Sequence, residues 1–186
     1  MKSIFHIIIV LFTSLIITSC RDANDIPEDI HEHEELEKMT LTLINTADTT
    51  DIQTIDYIGG TANSALNLSN GTTYQASLEF FVGHDGHYES ALHEIEEEKD
   101  EHFITYQFAG IDVDLTRDNN DIIRTDGKKL GLKTTWTIHS VPNLAKVNIQ
   151  LVHGSSSVDD QSPSSTKQYG STVGGNADIN ALIDIQ

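Results

Sequence analysis

The sequence predicts an all-β fold, an antiparallel two-sheet β-sandwich carrying one short surface helix. Three observations carry this expectation. Short runs of period-two alternation, rich in β-branched and aromatic residues, recur at regular spacing. Gly, Asn and Asp clusters punctuate them, and nothing resembles the strand-helix alternation of a parallel sheet. A small β-barrel is the alternative that the same pattern admits.

Along the chain, the first segment is not part of that fold. Met1-Lys2 gives a short positive start, Ile4 to Ile16 is almost wholly apolar, and Ile17-Thr18-Ser19-Cys20 has the small residues of a secretory cleavage site. The apolar run is shorter than the roughly 20 residues of a spanning helix, and acid follows it instead of a basic flank. The segment resembles a lipobox, which implies cleavage before Cys20 and a diacylglycerol on its sulfur. Residues 1–19 are thus expected to be a lipoprotein signal peptide. Residues 20–37 read as the lipidated cysteine and an acidic flexible tether, since Pro27 and many acids leave little to bury. Arg21-Asp22-Ala23-Asn24-Asp25 resembles an acidic signal for export to the outer leaflet, so the expected place is the outer membrane, with exposure at the cell surface.

The domain is expected over residues 38–186. Met39, Leu41 and Leu43 alternate with threonines, which argues for a strand. Ser64 to Ser69 and Thr72 to Val82 alternate again, and Asn70-Gly71 between them has the chemistry of a type I′ hairpin turn. Ser90 to Glu101, dense in Glu and nearly free of β-branched residues, reads as the surface helix. Phe103 to Phe108 and Ile111 to Arg117 are predicted to form one strand bulged at Ala109-Gly110, because the inward phase of Ile104, Tyr106 and Phe108 resumes at Ile111. Leu130 to Ile138, a strand through Val147, Ile149 and Leu151, and Ile179 to Ile185 complete the set, with a long loop over residues 154–175.

Composition narrows function. The chain carries 29 acidic against 11 basic residues, a formal charge of −18. Nucleic acid is therefore excluded as a partner, since phosphate binding needs a basic surface, and cations are the natural counterpart. Cys20 is the sole cysteine, so any metal site must come from His, Asp and Glu.

Nine histidines are the unusual resource. His84 and His87 lie three apart in a glycine-bearing loop, with Asp85 and Glu89 near enough to assist. His93 and Glu97 are four apart on the predicted helix and share a face. His84 continues the inward phase of Tyr74 to Val82, and His102 precedes that of Ile104 to Phe108, so both sit at the rim of the core. The expected metal set is His84, His87, His93, Glu97 and His102, with zinc first and copper second. His153 has the same inward phase, but a bulged strand over 103–117 sends it to the opposite end. It is a secondary candidate, together with His31 and His33 in the tether.

Catalysis is not expected: the chain has no Gly-x-Ser-x-Gly elbow, P-loop, dinucleotide fingerprint or His-Glu-x-x-His helix. Lys38 to Asn45, Thr72 to Val82, His93 to His102 and Ile149 to His153 resemble a group of Bacteroidota envelope lipoproteins labelled type 1 periplasmic binding fold superfamily. The resemblance covers most of the mature chain and implies a cell-envelope lipoprotein, an accessory to nutrient uptake through the outer membrane. The two α/β lobes of that label need a longer chain with alternating helices, so the fold expectation stays with the strands. The function expected is metal capture, with a TonB-dependent outer-membrane transporter as recipient. The alternative is a non-enzymatic structural or interaction module of an outer-membrane protein complex.

Overall fold

The computed structural model describes residues 35–142, 144–161 and 167–186. In chain order the elements are β1 (Leu36–Asn45), β2 (Ile52–Ile58), β3 (Thr61–Ala62), β4 (Thr73–His84), β5 (His87–Ser90), α1 (Leu92–Glu97), β6 (His102–Ala109) and β7 (Asp112–Arg117). There follow β8 (Lys133–Ser140), β9 (Ala145–His153), β10 (Ser157–Asp159), β11 (Gln168–Tyr169), β12 (Ser171–Val173) and β13 (Asn176–Ile185).

One sheet runs β3-β2-β1-β4-β8-β7, with β5 also paired to β4, and a second runs β11-β6-β9-β13. β10 and β12 form a separate ribbon. Every strand pairing is antiparallel. The two main sheets are open, and their inner faces supply one continuous core, as a sandwich requires. Met39, Leu41 and Leu43 of β1 and Tyr74 to Val82 of β4 meet Tyr106, Phe108, Ile149 and Leu151 of the other sheet. Trp136 joins the layers, edge-on to Phe108 at 5.0 Å and to Tyr106 at 6.0 Å between ring centroids. Among the described residues no helix is long and apolar enough to cross a membrane.

Several local expectations are corrected. β6 and β7 are not one bulged strand: they belong to different sheets, and the chain turns between them at Gly110, whose φ is +69°. The inward phase resumes after the turn because both strands face the same core from opposite sides. Asn70-Gly71 does form a turn, but no hairpin, since β4 is already paired along its length by β1 on one edge and by β8 and β5 on the other. Residues 64–69 instead cross toward β13 through an isolated parallel bridge from Leu66 to Ile185. β2 gives little sequence signal because Ile55 alone of its residues is fully buried, while Ile52 and Ile58 are exposed. The helix is shorter than expected at both ends: Ser90 belongs to β5, opposite Phe81 of β4, and residues 98–101 form a turn that leads into β6. Within the expected long loop, residues 157–159, 168–169 and 171–173 form short strands.

The layers are also joined by Arg117 of β7. Its Nη2 donates to the Ile104 carbonyl at 2.6 Å, its Nη1 to the Lys129 carbonyl at 3.2 Å, and the guanidinium lies 4.5 Å from the Phe103 ring centroid. Gly131 makes room for it: a β-carbon there would collide with the guanidinium, and its φ of +104° disfavours any side chain. Gly131→Ala is expected to destabilise the domain by about 1–3 kcal/mol through strain and overpacking. Urea unfolding measures this, and an unchanged midpoint would show that Arg117 leaves the space without cost.

Candidate metal centre

The centre is built where α1 hands the chain to β6. The helix exits through Glu98, whose N–H still bonds the Glu94 carbonyl at 2.8 Å, and a tight turn follows in which Glu101 N–H reaches the Glu98 carbonyl at 2.8 Å. His102 then opens β6, held twice by the same Glu98 carbonyl, through its backbone N–H at 3.2 Å and its ring Nδ1 at 3.2 Å. Arg124 fastens the turn from outside, donating Nη1 to the Lys99 carbonyl at 2.9 Å and to the His102 carbonyl. Thr125 bonds the Asp100 carboxylate through its N–H at 2.7 Å and its hydroxyl at 2.5 Å.

Strand register supplies the second histidine. β6 and β9 are neighbours, and His102 stands directly opposite His153. Both have the phase of the core face, so the imidazoles stack at the end of the sheet, 4.8 Å between centroids and 23° between planes. His102 is buried, with 5% of its side chain exposed, and His153 is half-buried at 22%. His153 Nε2 lies 3.0 Å from Glu101 Oε2, and His102 Nε2 lies 3.8 Å from Asp178 Oδ2 of β13.

These contacts set the protonation pattern. A carbonyl can only accept, so His102 Nδ1 carries the proton in its bond to Glu98. A carboxylate likewise accepts, so His153 Nε2 carries the proton toward Glu101. In the neutral rings the lone pairs then fall on His102 Nε2 and His153 Nδ1. Burial holds the His102 imidazole below the ordinary histidine value, and His153 pushes the same way. The Glu98 carbonyl and the acids Asp178 and Glu98 oppose the shift without reversing it. His102 is therefore neutral at pH 7, the form that coordinates metal.

Among the described residues, the ligand atoms of Glu98, His102 and His153 come together, all within 4.8 Å of one another. Two imidazoles and a carboxylate form a donor set suited to a divalent transition metal and leave a position open on the ion. Glu101, bonded to the far nitrogen of His153, is placed as the outer carboxylate that orients a metal-binding imidazole.

The other expected ligands lie elsewhere. His84 and His87 face each other across the β4–β5 turn and line a small concavity with Glu37 and Tyr88. His93 and Glu97 do share a helix face, 3.6 Å apart, but both are largely exposed. Neither pair belongs to the group around His102. The exclusion of His153 is corrected: it rested on a single strand over 103–117, and with β6 and β7 in separate sheets β9 returns beside β6. Cys20, His31 and His33 lie outside the described residues.

No family model, curated protein or solved structure matches the chain.

Glu98 was hidden among its neighbours. The four-residue spacing that relates His93 to Glu97 also relates Glu98 to His102, and that was the available signal. Nothing in the local sequence distinguishes Asp178 from the other surface acids.

Proposed function

We propose that this chain is a lipid-anchored cell-envelope protein that captures a divalent transition metal, zinc before copper, through Glu98, His102 and His153. One observation carries the reading: a buried and a half-buried imidazole stacked at 4.8 Å, with a carboxylate whose ligand atom lies within 4.8 Å of theirs. Zinc comes first because imidazole and carboxylate nitrogen and oxygen suit it, and cysteine is absent from the domain. The mechanism is passive capture with no bond made or broken in a substrate. Neutral imidazoles and carboxylate replace water on the ion, and the acidic surface raises the local cation concentration. The lipobox-like segment ending at Cys20 and the resemblance to envelope lipoproteins support placement at the outer membrane, with a TonB-dependent transporter to collect the ion.

Calorimetric zinc titration of the full chain, beside His153→Ala and His84→Ala/His87→Ala, tests this. One ion per chain is expected, lost in His153→Ala and kept in the double variant. His153 is half-buried, so its replacement leaves the fold intact, which circular dichroism verifies. Absence of saturable binding in the unaltered chain would reject metal capture and favour the interaction module of an outer-membrane complex.

A further inference from the structure

The pairing of β13 with β9 is interrupted at one place. Ala177 stands opposite Val152 and Ile179 opposite Leu151, so Asp178 is an extra residue, a β-bulge in an edge strand. Ile179, Ala181, Ile183 and Ile185 alternate strictly into the core, a phase that continued backward would point residue 178 outward. The bulge overrides that phase, and the Asp178 carboxylate ends 3.8 Å from Nε2 of buried His102, although β9 lies between their strands.

We infer that Asp178 is the fourth ligand of the Glu98, His102 and His153 site and the group through which the ion is exchanged; this rests on the metal reading above. The separation is the first argument. At 3.8 Å the two atoms are too far apart for a hydrogen bond. They are close to the separation of about 3.4 Å between two donors that share a tetrahedral zinc with bonds near 2.1 Å. Glu101, at 3.0 Å from His153, is at hydrogen-bond distance and does a different job. The ligand count is the second argument: Asp178 lies outside the group whose ligand atoms are already within 4.8 Å of one another, and drawing it in as a fourth donor completes the tetrahedron that the other three leave open.

The third argument is access. Asp178 also lines a cleft of about 370 Å³ with Glu35, Glu37, Tyr57 and Asn180, and among the described residues none of its walls is basic. Glu37 is itself skipped in the β1–β4 register, where Leu36 stands opposite Val82 and Lys38 opposite Phe81. Two bulges, on two different sheets, border the cleft, and the one in β13 supplies Asp178. Bulges re-aim side chains at the cost of a ladder bond, and they gather beside functional sites for that reason. Asp178 is the residue that lies both on the cleft wall and beside the buried imidazole.

Cobalt(II), whose visible absorption reports coordination number, is the probe. The full chain is titrated with cobalt and then displaced with zinc, beside Asp178→Asn and Glu101→Gln. Asp178→Asn is expected to lower the intensity of the cobalt band and weaken zinc binding by at least about tenfold, the smallest loss typical even of an outer-shell partner. Glu101→Gln should weaken binding without changing the band. An unchanged band and affinity in Asp178→Asn, with binding still abolished by His153→Ala, would overturn the role of Asp178 and leave the three-residue site standing. No saturable cobalt or zinc binding in the unaltered chain would overturn both. Asp178 lies on an edge strand with 30% of its side chain exposed, and an unchanged melting temperature of the metal-free variant confirms that it folds.

Discussion

Zinc affinity is expected to fall by more than about tenfold when the pH is lowered from 7 to 5, because two imidazoles must shed protons before they can coordinate. Each ring contributes up to a tenfold loss per pH unit once the pH lies below its own pKa, which for an ordinary histidine is about 6.5. His102 enters late. Its burial, reinforced by His153 and opposed by the Glu98 carbonyl, Asp178 and Glu98, keeps it below that value, so its share of the fall begins below pH 6.5. Carboxylate ligands alone would leave the affinity nearly flat over this range. Zinc titrations at half-unit pH steps measure the slope, and a flat profile would exclude imidazole ligation.

The same shift acts on the metal-free fold. A histidine whose folded pKa lies below its unfolded value binds more protons in the unfolded state, so stability is present above about pH 6.5 and is lost as the pH falls through the folded pKa. Zinc, which holds His102 neutral, opposes this loss down to the pH at which the ion is released.

Trp136→Ala is expected to remove about 3–5 kcal/mol of stability, and with it about 6–20 °C of melting temperature. Trp136 is fully buried and reaches from β8 into the other sheet, where Phe108 and Tyr106 present their rings edge to face. Its Nε1 donates at 2.8 Å to the hydroxyl of Thr134, itself fully buried. Truncation to alanine leaves a large cavity between the layers and strips that hydroxyl of its donor. Trp136→Phe, which keeps much of the volume, should lose substantially less. Urea unfolding followed by circular dichroism gives the comparison, and a loss under about 1 kcal/mol for Trp136→Ala would contradict its place at the interlayer contact.

The strands that were legible in the sequence are those with one face in the core and one in water. Met39 to Leu43, Tyr74 to Val82, Ile104 to Phe108 and Val147 to Leu151 keep strict alternation, and every inward residue of these sets is buried. The same phase correctly put His102 and His153 on the inward side of their strands. β2 escaped because its two terminal isoleucines are exposed, which erases the alternation that marks a half-buried strand. The turn at Asn70-Gly71 was legible as a turn, but local chemistry does not choose the strand that follows on the other side.

What the sequence by itself determined is the all-β class, the acidic surface, the limitation of any metal site in the domain to His, Asp and Glu, and the inward phase of the two histidines. Those are properties of composition and of near-neighbour periodicity, which the chain carries before it folds. Only the tertiary structure decided that β6 lies beside β9, that Glu98 closes on their histidines from the helix exit, and that a bulge turns Asp178 toward His102 from the sheet edge. Strand order depends on which apolar faces pack together across long stretches of chain, and a one-residue bulge is set by the partner strand as much as by its own residues.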